Sequence, residues 1–443
     1  MTRRRRRPRL PEGAFDAHIT GLAHDGRGVA RVDDKATFVQ GALTGEQVRF
    51  RYLARKRSYD EGMATEVLES SPERVEPRCP HYAICGGCSL QHMHPDAQIE
   101  AKQAVLLENL EQLGRVQPES ILPPLRNDVP WGYRRKARLG VKWVPKKDKV
   151  LVGFRERGSS KVADLSECHV LHRRVGSILP QLSALIGSWS IRDRVPQIEM
   201  AMDDERCVLI FRILEPLSER DGASLREFGL AHDIVPYLQP GGPGTVQALD
   251  PPGVDLCYQV PSEDLSLGFD PGDFTQVNSE MNRRMIGRAL SMLDPDPSER
   301  ILDLFCGVGN FTLPLARHAA EVTGVEGDAG LVERARANAA RNDLHNVDFF
   351  TANLYEELPP AVWLERRFDK ALLDPPRSGA QQVLALLPRL GVETILYISC
   401  YPGTLARDAG ELVNEHGYRL ISSGVMDMFP HTGHVESIAL FRR

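Results

Sequence analysis

Eight cysteines stand in the 443-residue chain, and two of their settings could carry chemistry. Cys400 closes an apolar run, residues 394–399, and is followed by Pro402-Gly403. Such a run reads as a strand and the Pro-Gly pair as a turn into a helix. That puts a thiol at the carboxyl end of a strand, where α/β sheets bind their ligands, and makes it a candidate nucleophile. A free thiol of pKa near 8.5 is only about 3% thiolate at pH 7, so such a site must lower that pKa or remove the proton when substrate binds. Cys79, Cys85 and Cys88 form the second setting, C-x5-C-x2-C with Gly86-Gly87 between the last two, and Cys168 in LSECHVLH is a candidate fourth donor. Four thiolates suit either zinc or a [4Fe-4S] cluster, and His81, His92, His94 and His169 keep zinc open. Cys207, Cys257 and Cys306 read as small buried hydrophobes. Cys306 is the rival nucleophile, but it lies inside a glycine turn where it would compete with cofactor packing.

That turn, Asp303-Leu304-Phe305-Cys306-Gly307-Val308-Gly309-Asn310, links a predicted strand to a predicted helix. Gly307 and Gly309 allow a sharp bend and close approach of a ligand to the main chain. Glu326 lies 17 residues beyond Gly309, at the end of the next predicted strand, where a carboxylate can accept both ribose hydroxyls of an adenosine cofactor. The absence of a third glycine and the Asp-Leu-Phe-Cys-Gly opening favour S-adenosylmethionine over a dinucleotide. A further loop, Asp374-Pro375-Pro376-Arg377, follows a later predicted strand. Amino-group methyltransferases carry an aromatic residue at the last position of a related tetrapeptide, so Arg377 counts against exocyclic-nitrogen chemistry.

These residues need scaffolds. Strand-like segments at 300–304, 321–325, 347–350, 370–373 and 394–399 alternate with helical ones, the pattern of a doubly wound α/β domain. Five short strands within residues 17–68, separated by turn signals, predict a small closed barrel. Between them the spacing predicts a helix over 95–113, strands at 138–144, 150–154, 198–202 and 207–213, and a helix over 175–185, a mixed α+β middle domain. No apolar run approaches the roughly 18 residues of a membrane span, and the N-terminal arginines lack the apolar stretch of a secretion signal. A cytoplasmic, non-membrane protein is expected. Its net charge of -5 conceals 30 Lys+Arg against 22 Asp+Glu in residues 1–170 and 25 against 38 in residues 171–443. The basic half carries three clusters, Arg3 to Arg9, Arg49 to Arg57 and Arg134 to Lys142, the last two interleaved with aromatics, which points to a polyanion such as RNA.

The sequence GLAHDGRGVARVDDKATFVQGALTGEQV resembles the TRAM domain, a small RNA-binding barrel. DLFCGVGNFTLPLA, with DPPR, SCYPGTLARD and HTGHVES, closely resembles the RNA uracil-C5 methyltransferases, and CPHYAICGGCSLQH resembles the iron-sulfur motif of their ribosomal members. The resemblance covers nearly the whole chain. It implies a multi-domain protein: a basic arm (1–11), an N-terminal OB-like β-barrel of TRAM type (12–70), an α+β iron-sulfur and RNA-binding middle domain (71–265), and a C-terminal class I methyltransferase α/β doubly wound domain (266–443). It further implies S-adenosylmethionine contacts at Gln276, Phe305, Asn310, Glu326, Asn353 and Asp374, although the family often has Asp in place of Asn353. By the same resemblance Cys400 is the nucleophile, adding to carbon 6 of uracil so that carbon 5 can take a methyl group, and Glu436 is the base that removes the carbon-5 proton. A [4Fe-4S] cluster would sit on Cys79, Cys85, Cys88 and Cys168. Because tRNA-modifying members are expected to lack both barrel and cluster, the implied substrate is 23S ribosomal RNA, acted on by a monomer.

Overall fold

The computed structural model describes residues 10–443, so most of the expected basic arm lies outside the described residues. The first sheet has six strands in the order Phe15–His18, Gln47–Arg55, Tyr59–Glu69, Lys35–Gln40, Gly28–Val32, Gly21–Leu22. Its outermost strands are two halves of one segment, broken at Ile19-Thr20: the first pairs with Gln47–Arg55 and the second with Gly28–Val32. The expected single strand at 17–22 therefore bends and serves both edges. The sheet curls around Ile19, Ala30, Val39, Val48 and Phe50, with inward residues alternating along each strand.

The second sheet, also of six strands, contains Lys136–Val144, Lys149–Gly153, Gln197–Met202 and Cys207–Arg212, where the alternation predicts them, and adds Val235–Gln239 and Gln247–Ala248 at one edge. The helix expected over 175–185 is two helices, Arg173–Gly176 and Leu179–Gly187. Pro180 has no N–H to offer the Gly176 carbonyl, and that carbonyl instead accepts from the Cys168 N–H at 2.8 Å.

The third sheet runs Val347–Thr351, Glu321–Glu326, Arg300–Leu304, Lys370–Leu373, Thr394–Ser399, Glu436–Arg442, Arg419–Met426, Ser120–Ile121. The first five strands are parallel, and Glu436–Arg442 is antiparallel to both of its neighbours. Thr394–Ser399 is buried at every position, as a central strand covered on both faces must be. Two elements from far upstream complete this layer. Ser120–Ile121 adds its last strand, and Pro95–Asn109 packs Ile99, Val105 and Leu106 into the core that holds Leu302, Leu373, Tyr397 and Leu405. The helix predicted over 95–113 ends in a widened π turn, Leu110–Gly114. At its end Gly114 rests on the helix Pro402–Asn414: a Cβ there would stand 2.4 Å from the Ala406 carbonyl oxygen.

Candidate active site

All eight proposed cofactor and catalytic residues open onto one cleft of about 1760 Å³, open mouth included, at the carboxyl edge of the parallel strands. Phe305 follows Arg300–Leu304, Glu326 ends Glu321–Glu326, Asn353 follows Val347–Thr351 and Asp374 follows Lys370–Leu373. Phe305 turns the chain with φ of 67°, a left-handed conformation rare for an aromatic residue, while its N–H stays on the Val325 carbonyl. The Glu326 carboxylate is fixed by the N–H groups of Gly307 (3.1 Å), Gly327 (2.6 Å) and Asp328 (3.1 Å). Asn310 accepts from the Tyr258 hydroxyl and exchanges hydrogen bonds with Asn282, which ties the glycine turn to the helix Ser279–Leu293. Asp303, one residue inside the strand, is fully buried with one oxygen held by Thr312, and burial pushes its pKa up to about 8.

Cys400 and Glu436 meet because of strand register. Ser399 pairs with Ser437 in the antiparallel ladder, so the next residues, Cys400 and Glu436, stand opposite one another where the two strands end. Glu436 is 3% exposed, and burial, reinforced by the Asp374 charge, pushes its pKa well above the usual carboxylate range. Burial likewise raises Asp374 to about 7. Burial, then the charges of Glu436 and Asp374, push the Cys400 thiol up to about 11, and Arg377 alone among the charged neighbours named pulls it down. The free site thus favours a neutral thiol, and deprotonation must come with substrate. Cys306 is still less suited to ionise: it is buried beneath the turn, with Asp303 and Glu326 opposing a negative charge.

Two side chains escaped the sequence reading as site residues. Arg377 donates to Nδ1 of His434 at 3.0 Å, and burial with the Arg377 charge lowers His434 to about 4. The imidazole is therefore neutral with its proton on Nε2, a hydrogen-bond donor lining the cleft. The only hint was a second histidine in His431-Thr432-Gly433-His434.

A second groove of about 760 Å³ reaches Cys400 from another side. Its walls come from all three sheets' surroundings: His24 and Asp25 of the first, Gly86 and Gly87 of the cysteine motif, and Tyr401, Thr432 and His434 beside the nucleophile candidate. Gly433 allows this meeting, since a Cβ there would lie 2.5 Å from the Asp25 carbonyl carbon.

Cys79, Cys85, Cys88 and Cys168 line one small pocket with Tyr82, Phe154, Leu165, His169 and Val170. The Gly87 N–H points at Cys85 Sγ (3.4 Å). Of the histidines that kept zinc open, His81 bonds Ser166, His92 bonds Tyr82 and His94 caps a helix. Among the described residues no three His, Cys, Asp or Glu are gathered tightly enough to hold a single ion.

The described residues also qualify the charge reading. Arg49 pairs with Asp16 and Glu66, Arg55 with Asp60, Arg135 with Asp204 and Arg138 with Glu199. Lys136 spends its ammonium on the carbonyls of Pro271 and Asp273, joining the second sheet to the segment before the cofactor cleft. Much of the third basic cluster is thus structural, whereas Arg134 lines the cleft.

The tRNA (Uracil-5-)-methyltransferase family model matches residues 248–443. A protein of Alkalilimnicola ehrlichii named 23S rRNA (uracil(1939)-C(5))-methyltransferase RlmD is 55% identical over 440 residues, 99% of each chain, and one of the same name from Xanthomonas campestris is 53% identical over 442 residues, again 99% of each. Among solved structures, the Pyrococcus abyssi tRNA (uracil-54, C5)-methyltransferase in complex with S-adenosyl-L-homocysteine aligns with a TM-score of 0.73 at 25% identity, covering 96% of this chain and 99% of its own. That last match corrects one expectation: a tRNA-modifying member is built along nearly the full length of this chain, so overall architecture does not separate ribosomal from transfer RNA substrates. No helix among the described residues is long and apolar enough to cross a membrane. With the cofactor cleft, full-length relatives at more than half identity and the matching catalytic fold taken together, the chain is an S-adenosylmethionine-dependent methyltransferase and belongs to the RNA uracil-C5 methyltransferase family.

Proposed function

We propose that the protein methylates carbon 5 of the uridine equivalent to position 1939 of 23S ribosomal RNA, forming 5-methyluridine. The observation that carries this is full-length identity of 55% to a relative named for that reaction, against 25% to the tRNA enzyme. Cys400 adds to carbon 6 of the flipped uracil, forming a carbon–sulfur bond and leaving an enolate at carbons 4 and 5. S-adenosylmethionine supplies the methyl group, held by Gln276, Phe305, Asn310, Glu326, Asn353 and Asp374. Glu436 then takes the carbon-5 proton, the carbon 5–6 double bond re-forms, and the Cys400 thiolate leaves. His434, neutral and donating through Nε2, is placed to bond a uracil carbonyl. The target base reaches Cys400 through the second groove, between residues 12–70 as a TRAM barrel, the middle domain (71–265) and the catalytic domain (266–443). Methyl-labelled cofactor offered with separate 23S rRNA and tRNA transcripts tests the assignment: label is expected in 23S rRNA as 5-methyluridine, and label only in tRNA, or as 5-methylcytidine, overturns it.

The four-cysteine pocket supports a [4Fe-4S] cluster on Cys79, Cys85, Cys88 and Cys168. Zinc draws four sulfurs to within roughly 3.8 Å of each other at Zn–S distances near 2.3 Å, whereas a cubane spreads them over a wider cage. The cluster's work here is structural. These residues fasten the motif to the second sheet through Gly86 N–H on Arg155 and the Cys85–Glu156 bridge. Protein purified without oxygen should contain iron and sulfide; stoichiometric zinc without iron overturns the cluster.

A further inference from the structure

Cys400 opens onto both the cofactor cleft and the second groove, and Arg377 and His434 are the two other described residues that line both. A pyrimidine that enters by the groove, bonds to Cys400 and takes a methyl group from the cofactor side must lie against this pair. The pair can offer a base nothing but N–H groups. A guanidinium has no lone pair to accept with, so the His434 Nδ1 that takes the Arg377 N–H at 3.0 Å carries no proton. The ring is then neutral with its one N–H at Nε2, which has no partner among the described residues, and Arg377 is in no ion pair among them. The position of that donor is set by how its loop is held. The segment from Asp427 to Val435 has no helix or strand of its own. From the helix Pro95–Asn109, the Gln98 side chain accepts the His431 N–H at 2.9 Å, and Lys102 donates to Asp427 (2.9 Å) and to the Phe429 carbonyl (3.0 Å). Ser89, next to Cys88, accepts the Gly433 N–H at 2.9 Å. A donor on a loop braced from two distant segments is preorganised and does not turn to suit a different base.

We propose that the Arg377–His434 pair selects uracil over cytosine by donating to the oxygen on carbon 4, and that it holds the negative charge reaching that oxygen when Cys400 adds. The inference rests on the reading of Cys400 as the nucleophile. Uracil and cytosine share the oxygen on carbon 2 and differ at carbon 4, where uracil carries an acceptor and cytosine an amino donor. Against donors alone, the cytosine amine meets N–H with N–H, and both are left unpaired. The electrons decide between the two uracil oxygens. As the carbon–sulfur bond forms at carbon 6, the carbon 5–6 π pair moves to carbon 5 and on to the carbon-4 oxygen, and none of it reaches the carbon-2 oxygen. An N–H at carbon 4 therefore binds the covalent intermediate more tightly than the free base, which lowers the barrier to addition.

The full chain with RNA carrying 5-fluorouridine or 5-fluorocytidine at the target position tests this. Fluorine at carbon 5 blocks elimination, so the covalent complex with each base can be timed on a denaturing gel. The readout is the ratio of the two rates, from which the reactivity of the thiol cancels because both RNAs meet the same Cys400. His434→Gln, whose amide can turn its oxygen toward an amine, should lower the uridine-to-cytidine ratio at least about tenfold. Retained binding of S-adenosylmethionine reports that the variant is folded, and His434→Asn serves if it is not. Arg377→Gln, which frees Nδ1 to take the proton, should lower the ratio too, whereas Arg377→Lys still only donates and should keep it within about threefold of the unmodified protein. A ratio unchanged in His434→Gln, with both rates falling together or neither falling, overturns the inference, as does a ratio equally low in Arg377→Lys and Arg377→Gln. If the unmodified protein forms no complex with 5-fluorouridine RNA, the covalent reading of Cys400 falls; if it forms one and the ratio does not move, the base-reading pair alone falls.

Discussion

Cys400 sits in surroundings that oppose its ionisation, with two carboxylates for neighbours and a pKa pushed up to about 11. Adduct formation with 5-fluorouridine RNA should therefore speed up about tenfold per unit between pH 7 and 9, because only the thiolate attacks and its fraction grows tenfold per unit below the pKa. Arg377 is the neighbour that lowers this pKa, so Arg377→Gln should slow adduct formation at any fixed pH in that range; a flat pH profile, or an unaffected variant, contradicts this electrostatic account. Cys400→Ala should form no adduct. That Cys400, Glu326 and Asp374 share one cleft was legible because each closes a strand and their motifs are local. Lys102, Gln98 and His434 were not, since nothing within ten residues of Gln98 or Lys102 refers to a loop beyond residue 426. Of the two routes open to a reactive thiol, a lowered pKa or loss of the proton on substrate binding, the raised pKa of Cys400 leaves the second.

At the level of elements, alternation and strand-to-helix spacing located the parallel strands and most of the second sheet. What they missed depended on partners distant in sequence. The break between Arg173–Gly176 and Leu179–Gly187 comes from Pro180 and from Cys168 capturing a carbonyl, and only the first of these is visible locally. At the end of the π turn Leu110–Gly114, Gly114 meets the facing helix backbone to backbone: a Cβ on Gly410 would likewise stand 2.7 Å from the Gly114 oxygen. Gly114→Ala should destabilise the protein by about 1–3 kcal/mol through overpacking, read as a lowered denaturant midpoint with an unchanged slope. An unchanged midpoint means that the two helices separate freely there.

Across the whole molecule, the basic half proves less available than its composition implied. Most of the arginines in its second and third clusters already face acidic partners, a pairing that composition cannot reveal. Arg51, Lys56 and Arg57 remain exposed and in no ion pair among the described residues. Replacing all three with Gln should weaken RNA binding and flatten the plot of log affinity against log salt by about 0.7–0.9 for each cation that meets a phosphate. A slope identical to that of the unmodified protein places the RNA on another face.

The bond between Gln98 and His431 spans 333 residues. At roughly 5–20 residues per second of synthesis, the helix leaves the ribosome about 15–70 s before the loop it holds exists. For that interval the Gln98 side-chain oxygen lacks the loop N–H that it accepts in the folded chain. The strand Glu436–Arg442 follows that loop directly, so the pairing that sets Glu436 opposite Cys400 can form only after the loop is made. A chain cut before Ser437 has lost the ladder that sets Glu436 opposite Cys400, however well the parallel strands fold.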